Sequence, residues 1–523
     1  MKLERPLLIL LAGWAAFSVA SIWLRPLWPV DETRYASVAW EMWLRGDFIV
    51  PWINGEPYSH KPPLLFWLIQ AGWALFGVNE WWPRMVAPLC ALAAVPLLFR
   101  MEKLLWGTRG DSVWVLFGTL LFAGFATLLM FDLLLMLCAM AGMIGVLQLS
   151  RGEKKGLLWL GAGIGLGVLA KGPVILLHVL PAAVVAPWWA PQIKGRLGRW
   201  YLDLLLGVLL GAAIALAWAL PAAYFGGEAY RSAIFWGQTA GRVSESFAHR
   251  SPWWHYLPLL PLLLFPWLVW PRFWAGLKIT WNENESRFLI AWLVLTVIGF
   301  SLVSGKQGKY LVPFLPAFAL LAGRALARSN GPERLWQILP PMLGFLALPA
   351  ALAWLRLRPE SMKLPEWIGE IPLWPIVLLA MAVPALLLVC LQNTALQLRA
   401  LAFAVLAACA VLVAGVIPAF APYADPLPAA RYLAELQKNK SPVAHLGKYH
   451  ATYNFSGRLR APLAILGHDE LAAWVRRNPE GHVLTVERTR AADGGPEAQW
   501  AYRGAWLQLW RGAALLVARP ELR

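Results

Sequence analysis

The chain has 523 residues, 59% of them hydrophobic and 14% charged, with 33 Trp and a net charge of +17, and its mean hydropathy is +0.55. So few charges could not cover a single core that hid more than half the chain, which excludes a water-soluble globular protein. Repeated apolar runs near the ~20 residues needed to cross a bilayer indicate a polytopic α-helical membrane protein instead. The positive charge does not indicate nucleic acid. Basic residues such as Arg100, Lys103 and Arg109, Arg151, Lys154 and Lys155, and Lys194, Arg196 and Arg199 punctuate short loops that alternate with less basic ones. That is the distribution of cytoplasmic loops under the positive-inside rule.

In chain order, spans are predicted near 7–27, 82–100, 112–129, 131–149, 157–170, 173–190, 201–224, 253–271, 287–304, 310–327, 335–355, 372–391 and 399–420, about thirteen in all. This places the N-terminus inside and the C-terminus outside. The first run follows Lys2 and Arg5; its spanning length reads as a signal anchor rather than a cleaved signal peptide. The apolar stretch from Pro62 to Gly77 is short for a span, and counting it as one would put the basic loops outside, so it is expected to lie flat at the outer interface. Residues 1–421 are read as a transmembrane domain with a first outer loop at 29–81, and 422–523 as a small extracytoplasmic α/β domain. In the latter, PLPAARYLAELQKN and HDELAAWVRRNP are helix-like and HVLTVER and AWLQLW strand-like. The glycines of GAGIGLG, Gly161 to Gly167, suggest close helix packing, and they do not meet the dinucleotide fingerprint. Cys90, Cys138, Cys390 and Cys409 all lie in apolar runs without CxxC spacing, so neither a disulfide framework nor a thiolate metal site is indicated.

The outer face, so oriented, collects charges that are costly beside a membrane and therefore point to chemistry. Asp31, Arg34, Tyr35 and Val38 share one helix face. A carboxylate beside a guanidinium suits a base next to an anion clamp; the alternative is a helix cap that pairs locally. Lys61 stands at the entrance to the interfacial stretch, where a snorkelling lysine is the plainer reading. Lys171, in LAKGPV, has apolar segments on both sides and needs an anionic partner or a wet cavity. Asp132, in LLMFDLLLM, is either a turn residue or part of the site. The loop SGKQGKY offers Lys306, Lys309 and Tyr310 but lacks the spacing of a phosphate-binding P-loop. Arg242 adds another cation to this face. His60 and His249 are candidate ligands for a divalent metal such as Zn, Mg or Mn. No nucleotide cofactor is expected. Such parts suit transfer of a sugar from a polyprenyl phosphate to an acceptor hydroxyl. One carboxylate takes the acceptor proton, cations stabilise the departing phosphate, and no acid is needed on the leaving side. A transporter or flippase of lipid-linked sugars is the alternative; it predicts inverted repeats and interrupted helices at the midplane, whereas no repeat is seen and the charges gather at one face.

The stretch PVDETRYASVAWEMWLRGDFIVPWINGEPYSHKPPLLFWLIQAGWALFGVNE resembles the first outer loop of bacterial GT-C glycosyltransferases, in particular lipid A aminoarabinose transferases and protein O-mannosyltransferases. FDLLLM at Asp132, LAKGPV at Lys171, GRVSESFAHRSPWWHYLPLLP from Gly241 and SGKQGKYLVPFLPAFA from Ser304 follow in family order, over roughly residues 1 to 420. The resemblance implies catalysis by Asp31 and contact of Arg34, Lys61, Lys171 and Tyr310 with the donor phosphate or its cavity. It implies an undecaprenyl-phosphate sugar donor, a lipid, glycan or protein acceptor, with lipid A or another glycolipid ahead of protein, and a bacterial inner-membrane setting. Two departures stand out. His60 occupies the position before the KP lysine where the aminoarabinose transferases commonly carry Glu, and GKQGKY replaces their K-x-P-x-Y, leaving Lys306 and Lys309 as alternatives for the phosphate contact.

Overall fold

A computed structural model of the chain describes residues 4–237, 251–329, 335–357, 365–391, 394–492 and 494–522. Among the described residues, nine helices are long and apolar enough to cross a membrane, which makes this a multi-pass helical membrane protein. The first half runs α1 (Arg5–Leu24), α2 (Asp31–Arg45), α3 (Leu64–Phe76), α4 (Trp81–Trp106), α5 (Ser112–Phe117), α6 (Leu120–Phe125), α7 (Asp132–Ser150), α8 (Gly156–Lys171) and α9 (Ile175–Val184). Helices Leu197–Phe225, Asn284–Leu302, Leu315–Arg328, Leu335–Leu357, Leu373–Cys390 and Thr394–Gly415 complete the apolar set.

The glycine-rich stretch of α8 acts as the small-residue pattern suggests. A Cβ on Gly163 would lie 2.4 Å from the Gly142 nitrogen of α7, and one on Gly165 would lie 2.6 Å from Ile214 on the opposite side. The helix is thus sandwiched at near-contact distance between α7 and Leu197–Phe225.

Three expected spans are broken. The span at 173–190 is divided at Val185 into α9 and the short helix Ala186–Trp189, and two others are irregular: residues 112–129 form α5 and α6, separated at Gly118 and Thr119, and within 253–270 only Leu260–Leu263 is α-helical. Pro258, Pro261 and Pro266 remove the backbone donors a continuous helix would need. The two irregular segments satisfy each other: Leu120 N donates to the Phe265 carbonyl at 2.9 Å, and the Trp267 indole donates to the Val115 carbonyl at 2.9 Å. Non-helical backbone is tolerated at such depth only where protein supplies the missing bonds.

The first outer loop is held by a buried ionic cluster. Glu32, fully buried, pairs through both oxygens with Arg25 at the end of α1. It also accepts the backbone N–H of Leu129 at 2.6 Å and of Trp28 at 2.9 Å. Arg25 continues to the Thr127 carbonyl at 2.6 Å, and Arg84 of α4 donates to the carbonyls of Ile22 and Arg25. Burial disfavours the Glu32 carboxylate, but Arg25, Arg84 and the Leu129 N–H outweigh it and hold its pKa below the ordinary value. The start of α2, the end of α1 and the turn before α7 are thereby fixed together. Helix α2 ends at Gly46, whose φ of +66° allows its N–H to turn back onto the Met42 and Trp43 carbonyls. After the hairpin β1 (Trp52–Ile53) and β2 (Glu56–Pro57), α3 buries Phe66, Ile69 and Trp73 and leaves Leu75 and Phe76 on the exterior. At 13 residues it is too short to span, as expected of an interfacial helix.

The C-terminal part is a five-stranded sheet in the order β4-β3-β5-β7-β6, from β3 (Val443–Leu446), β4 (Ala464–Leu466), β5 (His482–Glu487), β6 (Ala498–Tyr502) and β7 (Ala505–Arg511). The β3 pairs with β4 and β5 are parallel, and the β5–β7 and β6–β7 pairs are antiparallel. Helices Leu427–Lys438 and His468–Arg477 pack on it through Leu433 and Leu471. Both helix-like stretches and both strand-like stretches read from the sequence are met; β3, β4 and β6 are too short or too little alternating to stand out.

Glu32→Ala leaves Arg25 buried without its counter-charge, so a loss of about 3–5 kcal/mol is expected, read as a lower thermal unfolding midpoint of the detergent-solubilised protein. An unchanged midpoint would refute the pinning role.

Candidate active site

Asp31 is the first residue of α2, and the Glu32 cluster fixes its backbone. Val30 takes the N-cap position, so Asp31 is not the helix cap, while the local pairing with Arg34 is present. One carboxylate oxygen accepts from Arg34 and, at 3.3 Å, from the Tyr35 hydroxyl; the other accepts from Lys309 Nζ at 2.7 Å. Burial raises the Asp31 pKa, but Lys309 and then Arg34 outweigh it, leaving the carboxyl below its usual value. Arg34 Nε is buried with no hydrogen-bond partner among the described residues, an unmet donor facing the same site.

The late loop resolves into two different lysines. Lys306 is buried and donates to the carbonyls of Ser251, at 2.9 Å, and Val303, at 2.7 Å. Two of its three donors fix the loop. Lys309, on the 3-10 turn Gly308–Phe314, is the one delivered to Asp31.

A second ion pair lies close by. Lys171, the last residue of α8, bonds Asp132, the first residue of α7, at 2.5 Å, with side chains 10% and 4% exposed. Asp132 is therefore no surface turn residue, and Lys171 has the anionic partner its setting demanded. The Lys171 ammonium also sits 4.9 Å from the centre of the Tyr310 ring, a cation–π contact. Phe131, next to Asp132, packs edge-on against Tyr35 at 4.8 Å. The groups thus close a ring, from Asp31 through Lys309 and its neighbour Tyr310 to Lys171, Asp132, Phe131 and Tyr35. Four chain segments converge at the ends of apolar helices.

The hairpin side brings Tyr58, buried against Phe66 and within electrostatic reach of Arg34. Lys61, half-buried, precedes α3 in the same turn. His60 is exposed and stacks on Tyr58 with ring centres 5.4 Å apart. Arg242 and His249 lie outside the described residues. Among the described residues, no group of three or more His, Cys, Asp or Glu converges in a way that could hold a metal ion. His60 therefore has no ligand set around it there.

Three participants were not singled out from the sequence. Glu32 follows Asp31 directly, and its only local hint of burial is a partner seven residues earlier, Arg25. Tyr58 carried no signal beyond its place before His60. His450, in the loop after β3, lies within electrostatic reach of Arg34 and Asp31, and nothing in its local sequence marks it.

A family model described as dolichyl-phosphate-mannose-protein mannosyltransferase matches residues 60–225. The chain is 34% identical over 369 residues to undecaprenyl phosphate-alpha-4-amino-4-deoxy-L-arabinose arabinosyl transferase 1 of Pseudomonas fluorescens, covering 65% of this chain and 64% of that protein. It is 32% identical over 379 residues to the transferase of the same description from Pseudomonas paraeruginosa, covering 67% and 65%. The chain thus spans a little under two thirds of the length of these curated relatives. Among solved structures, ArnT from Cupriavidus metallidurans bound to undecaprenyl phosphate superposes with a TM-score of 0.77 at 19% identity, covering 96% of this chain and 97% of that one. The apo structure of the same protein gives 0.76, covering 97% and 98%. In fold the chain is ArnT-like, a GT-C type helical membrane protein with a small C-terminal α/β unit, and in sequence its membrane region is similar to the aminoarabinose transferases.

Proposed function

We propose that this chain is an inverting glycosyltransferase that takes a sugar from a polyprenyl-phosphate donor at the outer leaflet and places it on an extracytoplasmic acceptor. Lipid A or another glycolipid is the first choice of acceptor and a protein Ser or Thr hydroxyl the second. The observation that carries this reading is a carboxylate, Asp31, held between two cations, Arg34 and Lys309, beside a second ion pair at the ends of apolar helices. The named donor of the related transferases is of the same chemical class. The alternating basic loops favour a cytoplasmic N-terminus in a bacterial inner membrane, with the C-terminal unit outside.

In the reaction, the acceptor O–H gives its proton to Asp31 as its oxygen bonds the anomeric carbon. The bond from that carbon to the phosphate oxygen breaks, with the electron pair staying on the phosphate. Arg34, Lys61, Lys309 and Lys171, with Tyr310 beside it, stabilise the charge that develops there. Attack opposite the leaving group inverts the anomeric centre. His60 and His249 carry no assigned role in proton transfer.

A carboxylate with a depressed pKa is a weak base, and the donor itself corrects this. Its phosphate competes for Arg34 and Lys309, so donor binding strips Asp31 of the charges that lower its pKa while burial persists. The base strengthens only when there is a sugar to transfer.

Asp31→Asn is expected to cut glycan transfer in membranes by roughly 10²–10⁴-fold; wild-type turnover at normal expression would remove Asp31 as the base. Because its pKa is lowered, wild-type Asp31 is ionised throughout pH 5–8 and contributes no acid limb there. Lys309→Met removes the largest contribution opposing burial, so the pKa rises and the acid limb of kcat/KM moves to higher pH, as a pH–rate profile of the variant will register.

A further inference from the structure

The C-terminal unit is seated on the helix that carries Asp31. The Ser37 hydroxyl, one turn beyond Arg34, donates to the Ala451 carbonyl at 2.7 Å and accepts the Phe455 N–H at 3.0 Å, both bonds buried. The Trp40 indole donates to the Leu459 carbonyl at 2.9 Å, and Asn54 is bonded twice to the Leu463 backbone, at 3.0 and 2.9 Å. Trp73 of α3 stacks on Phe455 at 5.3 Å. Residues 447–463 are therefore clamped along the outer loop. Ala451 takes a φ of +54°, which a residue with a Cβ rarely adopts. It does so while its carbonyl is held by Ser37.

That clamp fixes the preceding residue, His450, next to the mouth of the site. Its ring is exposed. Arg34 and Asp31 of α2 and Lys448 of its own loop are the charged groups that act on it. Its partial enclosure, then Arg34 and Lys448, lower its pKa against the opposing pull of Asp31. A neutral imidazole has one nitrogen that accepts a hydrogen bond and one that donates.

The side from which His450 arrives decides its use. Lys309, Tyr310 and Lys171 reach the site from the ends of membrane helices, where the donor's prenyl chain must lie. His450 is brought by the soluble unit. In-line displacement requires the acceptor to approach from a direction other than that of the leaving phosphate, and a side chain brought by a different part of the chain from the one that brings Lys309 and Lys171 suits that second approach.

We propose that His450 is an acceptor-binding residue, its imidazole accepting a hydrogen bond from the acceptor's nucleophilic O–H and orienting that group until Asp31 takes the proton. This rests on the glycosyltransferase reading above and adds to it a role for the C-terminal unit as one wall of the acceptor site.

The test uses the full chain in detergent, with undecaprenyl phosphate-4-amino-4-deoxy-L-arabinose as donor and lipid A as acceptor. His450→Ala is expected to raise the KM for lipid A roughly tenfold, the scale of one hydrogen bond, leaving the donor KM and the unfolding midpoint at wild-type values. His450→Gln, which keeps an accepting and a donating atom, is expected to recover most of the loss. An unchanged lipid A KM in His450→Ala overturns the proposal while leaving the glycosyltransferase reading intact. Both KM values rising together with a lower unfolding midpoint and no recovery in His450→Gln overturns it in favour of a purely structural loop. No transfer to lipid A by the wild-type protein overturns the lipid A reading and this proposal with it.

Discussion

Everything at the site depends on the buried pairing of Glu32 with Arg25. Two carboxylates stand side by side at the start of α2, and the helix turns them roughly 100° apart, one into protein and one into the site. Glu32 exhausts its acceptor capacity on Arg25 and on the N–H groups of Trp28 and Leu129. An ion pair this deep contributes less to stability than its geometry suggests, because both partners were desolvated to form it. What it contributes is position. It ties the first residue of α2 to the turn that leads into α7, so that Asp31 and Asp132 are placed by a single cluster although about a hundred residues separate them. A hydrophobic replacement could fill the space but could not define the angle at which α2 leaves the membrane domain.

The site then uses charge balance where the cluster uses charge burial. Asp31 and Asp132 are each neutralised by lysine, and Asp31 by Arg34 as well. This makes the empty site tolerable next to hydrocarbon, where unpaired charges are costly. It also means that an incoming anion must displace a carboxylate from its cations. On the proposed reading, the donor phosphodiester starts with a single charge and gains a second as the sugar–phosphate bond breaks, so its hold on these cations would grow along the reaction while the displaced carboxylate becomes the stronger base. Stability of the empty site and activation of the loaded one follow from the same three side chains.

How much of this was legible in the sequence follows from the range of each interaction. The Asp31–Arg34 pair lies three residues apart on one helix and could be read directly. Asp132 and Lys171 were marked by cost, since each charge sits among apolar residues and demands a partner, although the sequence did not say that they were each other's. Lys309 was visible only as one of two lysines in a loop. Its choice over Lys306 depends on which one the turn Gly308–Phe314 presents to a helix 278 residues earlier, and no local pattern encodes that. The membrane fold was legible from run length, except at the break of 173–190 at Val185 and where residues 112–129 and 253–271 satisfy each other's backbone instead of forming continuous helices. Hydropathy detects apolar character and is blind to such exchange. Within the C-terminal unit, amphipathic helices and alternating strands were readable, while the seating of residues 447–463 on α2 was not, because it is made largely through backbone carbonyls and N–H groups that every sequence possesses.

That seating has a consequence for how the two halves of the chain work together. Backbone groups of the 447–463 segment are held by Ser37, Trp40 and Asn54, residues of the same outer loop that carries Asp31, Arg34 and Lys61. Any movement of the C-terminal unit therefore acts on the loop that bears the candidate base, and any rearrangement of α2 when a donor displaces Asp31 from its cations is felt at Ala451 and His450. The bonds of Ser37 and Trp40 are buried and those of Asn54 partly so, so the coupling needs no distant pathway; it is direct contact of α2 and the hairpin with one stretch of loop. On the proposed reading, a lipid-borne donor and a separate acceptor must reach one carbon between walls from both phases, and α2, pinned at its start by Glu32 and clasped further along through Ser37, is where those walls would meet.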